Sequence, residues 1–156
     1  MSSLRSQRLY RLVRPAYSPG LDGVGAKRFG GRWNSPGRAM IYTATNPSLA
    51  VLETFVHLPP EMRSARYLPR MTLVTLNLNA ELAERMEHES GLSVRDCRAI
   101  GDKWLEETRS PALVVRSQLV PMEENVLLNP EHPQFEECVS LIREEPFSYD
   151  PRMGAP

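Results

Sequence analysis

The sequence predicts a single α+β domain in which five or six short strands are separated by short helices. The chain has 156 residues, of which 41% are hydrophobic, and this size and composition are typical of one globular domain. Several apolar runs are short and rich in β-branched residues, as strands are. Helix start and stop signals occur between these runs. We expect one domain over residues 1–156, with an ordered core over about residues 8–152.

The individual elements follow from local signals. Asn46 and Pro47 form a helix start, as N-cap and first helical residue, and Pro59 ends that helix. Ser93, with Asp96 three residues later, resembles a capping box that opens another helix. The predicted strands are 8–13, 39–43, 71–78, 112–117, 125–129 and an edge strand at 146–149. The predicted helices are 46–58, 80–87, 93–108 and 134–143, and residues 16–27 are predicted to form a loop.

Composition excludes several classes of protein. No apolar run approaches the ~18 residues that a membrane helix needs, and the N-terminus lacks the apolar segment of a secretory signal. We therefore expect a cytoplasmic protein that contacts no membrane. Cys97 and Cys138 are too few for a disulfide framework and are expected to be buried free thiols. His57, His88 and His132 are too dispersed for a metal site, so no metal is expected.

The charge is unevenly distributed although the whole chain is neutral. Residues 1–38 contain eight basic residues and one acidic residue, a net charge of +7. Residues 123–150 contain eight acidic residues and one basic residue, a net charge of −7. The basic segment favours a phosphate-bearing ligand, and the acidic segment argues against direct binding of nucleic acid. The alternative is that the two segments pair with each other across the fold.

Residues 30–58 form a predicted turn–strand–helix unit that contains the first anomaly. Glu53 lies within the helix, with Leu49 and Ala50 one turn before it and Val56 one turn after it. A carboxylate on an apolar helix face is costly unless it is paired, so Glu53 is a candidate functional residue. The alternative is a simple helix-surface pair between Glu53 and His57, four residues later.

Three further side chains are candidates, each with a plainer explanation. Arg32 lies in a Gly-rich turn, where a guanidinium and backbone amides can bind an anion; it could equally be a solvated loop arginine. Tyr42 lies on the short strand, where its ring could stack on a ligand or be part of the core. Ser117 ends an apolar strand, a position where α/β folds place ligand contacts. No Gly-x-Ser-x-Gly motif surrounds Ser117, so a hydrolase triad is unsupported.

Several motifs in order resemble the RES-domain family, which takes its name from an arginine, a glutamate and a serine. Arg32, Glu53 and Ser117 stand at those three places. The chain departs from the family pattern at Arg116, where proline is expected. The motifs that carry the resemblance are Gly30-Gly31-Arg32-Trp33-Asn34, Ile41-Tyr42-Thr43-Ala44, Leu49-Ala50-x-Leu52-Glu53-x-x-x-His57, Leu113-Val114-Val115-x-Ser117 and Glu124-Asn125-Val126-Leu127-Leu128-Asn129-Pro130.

The resemblance implies a toxin of a bacterial toxin–antitoxin pair with an ADP-ribosyltransferase-like fold: a mixed, mainly antiparallel central sheet with flanking short helices. It implies NAD+ as substrate, without a metal. The partner implied is an antitoxin with a helix-turn-helix part that covers the active site. The acceptor of ADP-ribose stays open between a cellular protein, water and phosphate. A non-catalytic NAD- or nucleotide-binding regulatory module is the alternative function.

The resemblance also implies roles for individual residues. Glu53 would stabilise the positive charge that develops on the ribose when nicotinamide leaves. Tyr42 would stack on nicotinamide, and Arg32 with Arg11 would hold the pyrophosphate. Ser117 would bind the nicotinamide side or position Glu53. The predicted catalytic residues are therefore Glu53, Arg32 and Tyr42. The predicted NAD+-binding residues are Arg11, Arg32, Asn34, Tyr42 and Ser117.

Overall fold

A seven-stranded sheet forms the centre of the computed structural model, which describes residues 5–87 and 91–156. The strands are β1 (Ser6–Val13), β2 (Ile41–Ala44), β3 (Arg70–Asn79), β4 (Ala83–Arg85), β5 (Ala112–Arg116), β6 (Glu124–Leu128) and β7 (Val139–Ser148). Their order across the sheet is β4-β5-β6-β2-β1-β3-β7. The β4–β5 pair is parallel, and the other five pairs are antiparallel. The predicted mixed, mainly antiparallel sheet is confirmed.

Four short or medium helices accompany the sheet: α1 (Val24–Phe29), α2 (Pro47–Val56), α3 (Val94–Glu107) and α4 (Phe135–Cys138). Single 3-10 turns occur at Pro15–Tyr17, Pro60–Met62, Ala80–Leu82 and Pro151–Met153. Asn46 caps α2 as predicted, because its side-chain oxygen accepts a hydrogen bond from the Leu49 amide at 2.8 Å. The predicted capping box of Ser93 and Asp96 begins α3.

Alternate residues of the central strands point to opposite faces of the sheet, and buried side chains lie on both faces. One face packs against α3, with Trp33 from the turn before β2 and Trp104 from α3 among its buried side chains. On the opposite face, Leu9 of β1 and Cys138 of α4 belong to one buried cluster. Trp104 is fully buried, and its indole N–H donates to the Ser110 hydroxyl at 2.9 Å. The helices therefore sit on both faces of the sheet.

Three predicted elements are wrong. The helix at 134–143 ends at Cys138, because Val139 enters β7 and pairs with β3. The helix at 80–87 is a 3-10 turn followed by β4, which pairs with β5. The predicted loop at 16–27 contains most of α1. In the first two cases pairing with a distant strand overrides the local helical pattern.

The two charged segments do not neutralise each other extensively. Across the described ranges, one ion pair joins them, between Lys27 and Glu131 at 3.9 Å, and both side chains are exposed. Arg38 is instead oriented towards Asp102 and Glu106 of α3. The alternative that the two segments pair with each other across the fold is therefore not what the described residues show. Separately, no helix in the described part of the chain is long and apolar enough to cross a membrane.

Candidate functional site

An open cavity of about 440 Å³ lies beside β1, β2 and α2. This volume is in the range of small-molecule sites. Residues of β1, α1, the turn before β2, β2, α2 and β6 line it, with Gln118 from the segment after β5. The predicted site residues among the lining are Arg11, Arg32, Tyr42 and Glu53. Four of the six predicted residues therefore share one cavity.

Glu53 projects from α2 towards the end of β5. The Ser117 hydroxyl donates to its Oε1 at 2.6 Å. The backbone amides of Leu119 and Val120 donate to the same Ser117 oxygen, at 3.1 and 3.0 Å. With two donors directed at the oxygen, the hydroxyl hydrogen is left for Glu53. Ser117 is buried and contacts the cavity through Glu53, whose carboxylate it holds in one orientation.

His57 contacts the backbone of Glu53 rather than its carboxylate. Its ring Nδ1 lies 2.6 Å from the Glu53 carbonyl oxygen, one helical turn earlier. The ring is exposed and lines the cavity. The hydrogen bond recorded for the Glu53 carboxylate is with Ser117, so the alternative of a simple Glu53–His57 side-chain pair does not describe the geometry.

Arg11 brings a buried positive charge to the cavity wall. Its Nε and Nη1 atoms are buried, and neither has a hydrogen-bond partner among the residues that the structure describes. Burial lowers the pKa of the guanidinium to about 10, and the negative charge of Asp22 opposes this shift. Arg11 thus remains charged at neutral pH. Unpartnered buried donors on a cation are costly. A positive charge in the cavity wall attracts an anionic ligand.

Arg32 and Trp33 belong to the turn that precedes β2. Arg32 is half-buried and lines the cavity. Burial raises the pKa of the neighbouring Cys97 thiol, and the Arg32 guanidinium opposes this rise. Trp33 is buried against α3, so the turn has a fixed apolar anchor. Arg32 is therefore held by a structured turn and is not a freely solvated loop residue.

Tyr42 of β2 holds this turn through its hydroxyl group. Its hydroxyl donates to Asn34 Oδ1 at 2.6 Å and accepts from the Trp33 amide at 3.0 Å. Burial raises the pKa of Tyr42 to about 12, although the hydrogen bond from Trp33 lowers it. Since the hydroxyl is occupied by the turn, the surface that Tyr42 offers to the cavity is its ring.

Asn34 is fully buried and holds the same turn from inside. Its side-chain amide donates to the carbonyl oxygens of Ala26, Ser35 and Arg38, at 2.9, 3.2 and 3.0 Å. Asn34 is absent from the cavity lining, unlike Arg32 two residues earlier. Asn34 therefore does not face the cavity, and its side chain instead holds the backbone of the turn.

Helix α3 fixes the far side of the turn. Ser35 donates to Asp102 through its amide, at 2.8 Å, and through its hydroxyl, at 2.5 Å. The Arg98 guanidinium donates to the Gly31 carbonyl oxygen at 3.2 Å. Gly31 has no room for a side chain, because an added Cβ would lie 2.5 Å from the Tyr42 hydroxyl oxygen. The turn that carries Arg32 is consequently rigid on both sides.

Sequence reasoning missed Phe29 and undervalued His57. Phe29 ends α1 and lines the cavity while 78% exposed, an unusual position for a large aromatic side chain. Its segment was predicted as a loop up to residue 27, so no pattern singled it out. His57 had a signal, its place four residues after Glu53, but that spacing alone also fits a surface pair.

Among residues 5–87 and 91–156, no cluster of three or more His, Cys, Asp or Glu side chains is arranged to hold a metal ion. His88, one of the three histidines considered above, lies outside the described residues.

Comparisons with known proteins agree on one family. The model of the RES domain matches residues 8–150. A protein named Toxin Res, from Yersinia enterocolitica serotype O:8, is 37% identical over 153 residues, covering 93% of this chain and 98% of the relative. A protein named Prs ADP-ribosylating toxin, from Sphingobium sp. strain YBL2, is 36% identical over 139 residues, covering 85% and 86%.

A solved structure shows a similar fold. It is a chain of the crystal structure described as the M. tuberculosis MbcT-MbcA toxin-antitoxin complex. The TM-score is 0.69, and the match covers 94% of this chain and 86% of that chain. The two sequences are 18% identical, so this likeness concerns the fold alone.

Proposed function

Because the chain belongs to the RES domain family, we propose that it is a toxin that consumes NAD+ by cleaving the nicotinamide–ribose bond. ADP-ribose then passes to an acceptor, which is a protein side chain, water or phosphate. One observation carries the proposal: a carboxylate oriented by Ser117 shares a cavity with the positive charge of Arg11, whose Nε and Nη1 atoms are buried. The names of the relatives, Toxin Res and Prs ADP-ribosylating toxin, support it.

Glu53 supplies the electrostatic part of the chemistry. When the nicotinamide–ribose bond breaks, the bonding electron pair stays on the ring nitrogen, which becomes neutral, and positive charge develops on the ribose. A fixed carboxylate stabilises such an oxocarbenium-like state, as in glycoside hydrolysis. Ser117 holds Oε1 of Glu53, so the carboxylate need not reorient as charge develops. The departing nicotinamide requires no general acid.

The arginines supply the binding part. Arg11 lies in the cavity wall, and its positive charge would attract the pyrophosphate of NAD+. Arg32 lines the same cavity from the rigid turn and would share the pyrophosphate. The Tyr42 ring would stack on nicotinamide while its hydroxyl braces the turn. We assign Asn34 an indirect role in binding, through the turn.

The partners follow from the family and the structural neighbour. The neighbour's description as a toxin-antitoxin complex supports an antitoxin partner for this chain. We propose that the antitoxin contains a helix-turn-helix part and neutralises the toxin by covering the cavity. We place the protein in the cytoplasm, where NAD+ is abundant, and assign it no membrane or direct nucleic-acid contact.

The experiment is to incubate the purified chain with NAD+ and follow the products by NMR. Parallel reactions contain no addition, phosphate or cell lysate. Loss of NAD+ with release of nicotinamide is expected in at least one condition. Loss only with lysate, together with a labelled protein band, identifies a protein acceptor. NAD+ binding without turnover in every condition would refute the enzyme and support a regulatory binding module.

A further inference from the structure

His57, at the C-terminal end of α2, has its tautomer fixed by a contact with the backbone of that helix. We propose that His57 is a further catalytic residue, the general base that removes the proton from a hydroxyl-bearing acceptor. The proposal rests on the proposed NAD+ cleavage and concerns its second half. Glu53 stabilises the cation, and His57 makes its capture by a neutral hydroxyl possible.

The tautomer follows from a single contact. Nδ1 of His57 lies 2.6 Å from the Glu53 carbonyl oxygen. A carbonyl oxygen only accepts hydrogen bonds, so Nδ1 must carry the hydrogen. In the neutral ring the other nitrogen, Nε2, then has the lone pair. His57 is thus held in the form that offers a base at Nε2.

The position of the ring suits this role. His57 is the C-cap of α2 and lies one turn after Glu53 on the same side of the helix, and both residues line the cavity. The ring is exposed, so Nε2 can reach an acceptor that enters from solvent. The hydrogen bond to the backbone limits rotation of the ring and keeps it near the carboxylate.

The other ionisable side chains of the cavity are less suited to accept a proton. Arg11 and Arg32 have no acceptor atoms, and the neutral phenol of Tyr10 is a far weaker base than an imidazole. The Tyr42 hydroxyl is already engaged by Asn34 and Trp33. Glu53 accepts a hydrogen bond from Ser117 and is needed as an anion beside the ribose cation. An imidazole base near neutral pH is also the commonest choice for proton transfer in enzymes.

The step balances without a further reactant. The bond between nicotinamide N1 and ribose C1′ breaks, and its electron pair remains on N1. The acceptor oxygen forms a bond to C1′, and its proton moves to Nε2 of His57. Imidazolium then releases that proton to solvent. The acceptor class is a neutral hydroxyl, either water or the side chain of a protein.

Acceptors of ADP-ribose fall into two classes, those that must lose a proton when they bond to C1′ and those that need not. Water and side-chain hydroxyls need the base. Azide and free nicotinamide attack C1′ through lone pairs and lose no proton, so they do not need it. A variant without the base should still break the bond, but its cation returns to nicotinamide when only hydroxyls are present.

The experiment compares the wild type, His57→Gln and His132→Gln in purified form. Gln at position 57 keeps a donor for the Glu53 carbonyl and lacks the base. His132 is the matched control, since its Nδ1 accepts from the Gln134 amide and it does not line the cavity. The readouts are ADP-ribose formation from NAD+ in water, ADP-ribosyl azide formation with azide, and exchange of labelled nicotinamide into NAD+.

We expect His57→Gln to lower ADP-ribose formation about 100-fold or more, and to retain azide capture and nicotinamide exchange near the wild-type rate. His132→Gln should match the wild type in all three. Equal loss of all three readouts in His57→Gln would show a structural role and overturn the proposal. Unchanged ADP-ribose formation would also overturn it. A wild type that breaks no nicotinamide–ribose bond in any of the three would instead refute the proposed function.

Discussion

The Ser117 hydroxyl oxygen lies 2.6 Å from Oε1 of Glu53 and donates its hydrogen to that carboxylate. The two residues come from separate elements, since Glu53 lies within α2 and Ser117 directly follows β5. The amides of Leu119 and Val120 fix the Ser117 oxygen from the other side. The orientation of the carboxylate in the cavity therefore depends on the end of a distant strand.

Ser117→Ala removes the hydrogen bond that orients Glu53. A hydrogen bond to a charged group contributes about 1.5–3 kcal/mol, so we expect kcat to fall about 10–100-fold. KM should change little, because Ser117 reaches the cavity only through Glu53. Steady-state kinetics of nicotinamide release measure both constants. Ser48→Ala, at an exposed position near the start of α2, is the control. A rise in KM at constant kcat would contradict a positioning role.

Arg11→Met should separate stability from binding. The side chain is of similar length but uncharged, and it leaves no unpartnered buried donors. We expect the free energy of unfolding to be unchanged or to rise by about 1 kcal/mol or more. The KM for NAD+ should rise about 10-fold or more, since a charge-assisted contact to pyrophosphate is lost.

Thermal unfolding and kinetics measure these two effects. Arg8→Met, at an exposed position on the same strand, is the matched control and should alter neither. A loss of stability without any change in KM would show that Arg11 serves the fold alone.

Gly31→Ala should disturb the turn that carries Arg32. An added Cβ would lie 2.5 Å from the Tyr42 hydroxyl oxygen, so the tyrosine or the turn must shift. Overpacking of this kind costs about 1–3 kcal/mol of unfolding free energy. Chemical denaturation of the variant measures it. Gly25→Ala is the comparison, because its Cβ would have no atom within 4 Å, and its stability should not fall. Equal stability of both variants would argue against a rigid turn.

Local signals predicted the parts of the fold that depend on neighbouring residues. Asn46 and Pro47 begin α2, and Ser93 with Asp96 begins α3, because capping is decided within one turn of helix. The first part of β7 was missed, since most of its side chains are exposed and the strand shows no alternating burial. Its pairing with β3 is a long-range contact that no local pattern reveals.

The candidate site also combines residues that are close in sequence with contacts between residues that are distant in sequence. Arg32, Tyr42 and Glu53 lie within one continuous unit, so their proximity was predictable from the sequence. Ser117 was a candidate because it ends an apolar strand and because it matches the family pattern. Its hydrogen bond to Glu53 spans 64 residues of chain and was not predictable from local sequence. The use of the Tyr42 hydroxyl within the turn could not be predicted, because it depends on how Asn34 and Trp33 fold back onto β2.

Cleavage of NAD+ by Glu53 is the central claim, and Glu53→Gln tests it most directly. The substitution keeps the size of the side chain and a hydrogen-bond acceptor for Ser117, but it removes the negative charge. The measurement is the rate of nicotinamide release from NAD+ by the purified chain, with NAD+ affinity measured in parallel. We predict release by the wild type and a rate at least about 100-fold lower in the variant, at similar affinity. Equal rates, or no release by the wild type in any condition, would contradict the account.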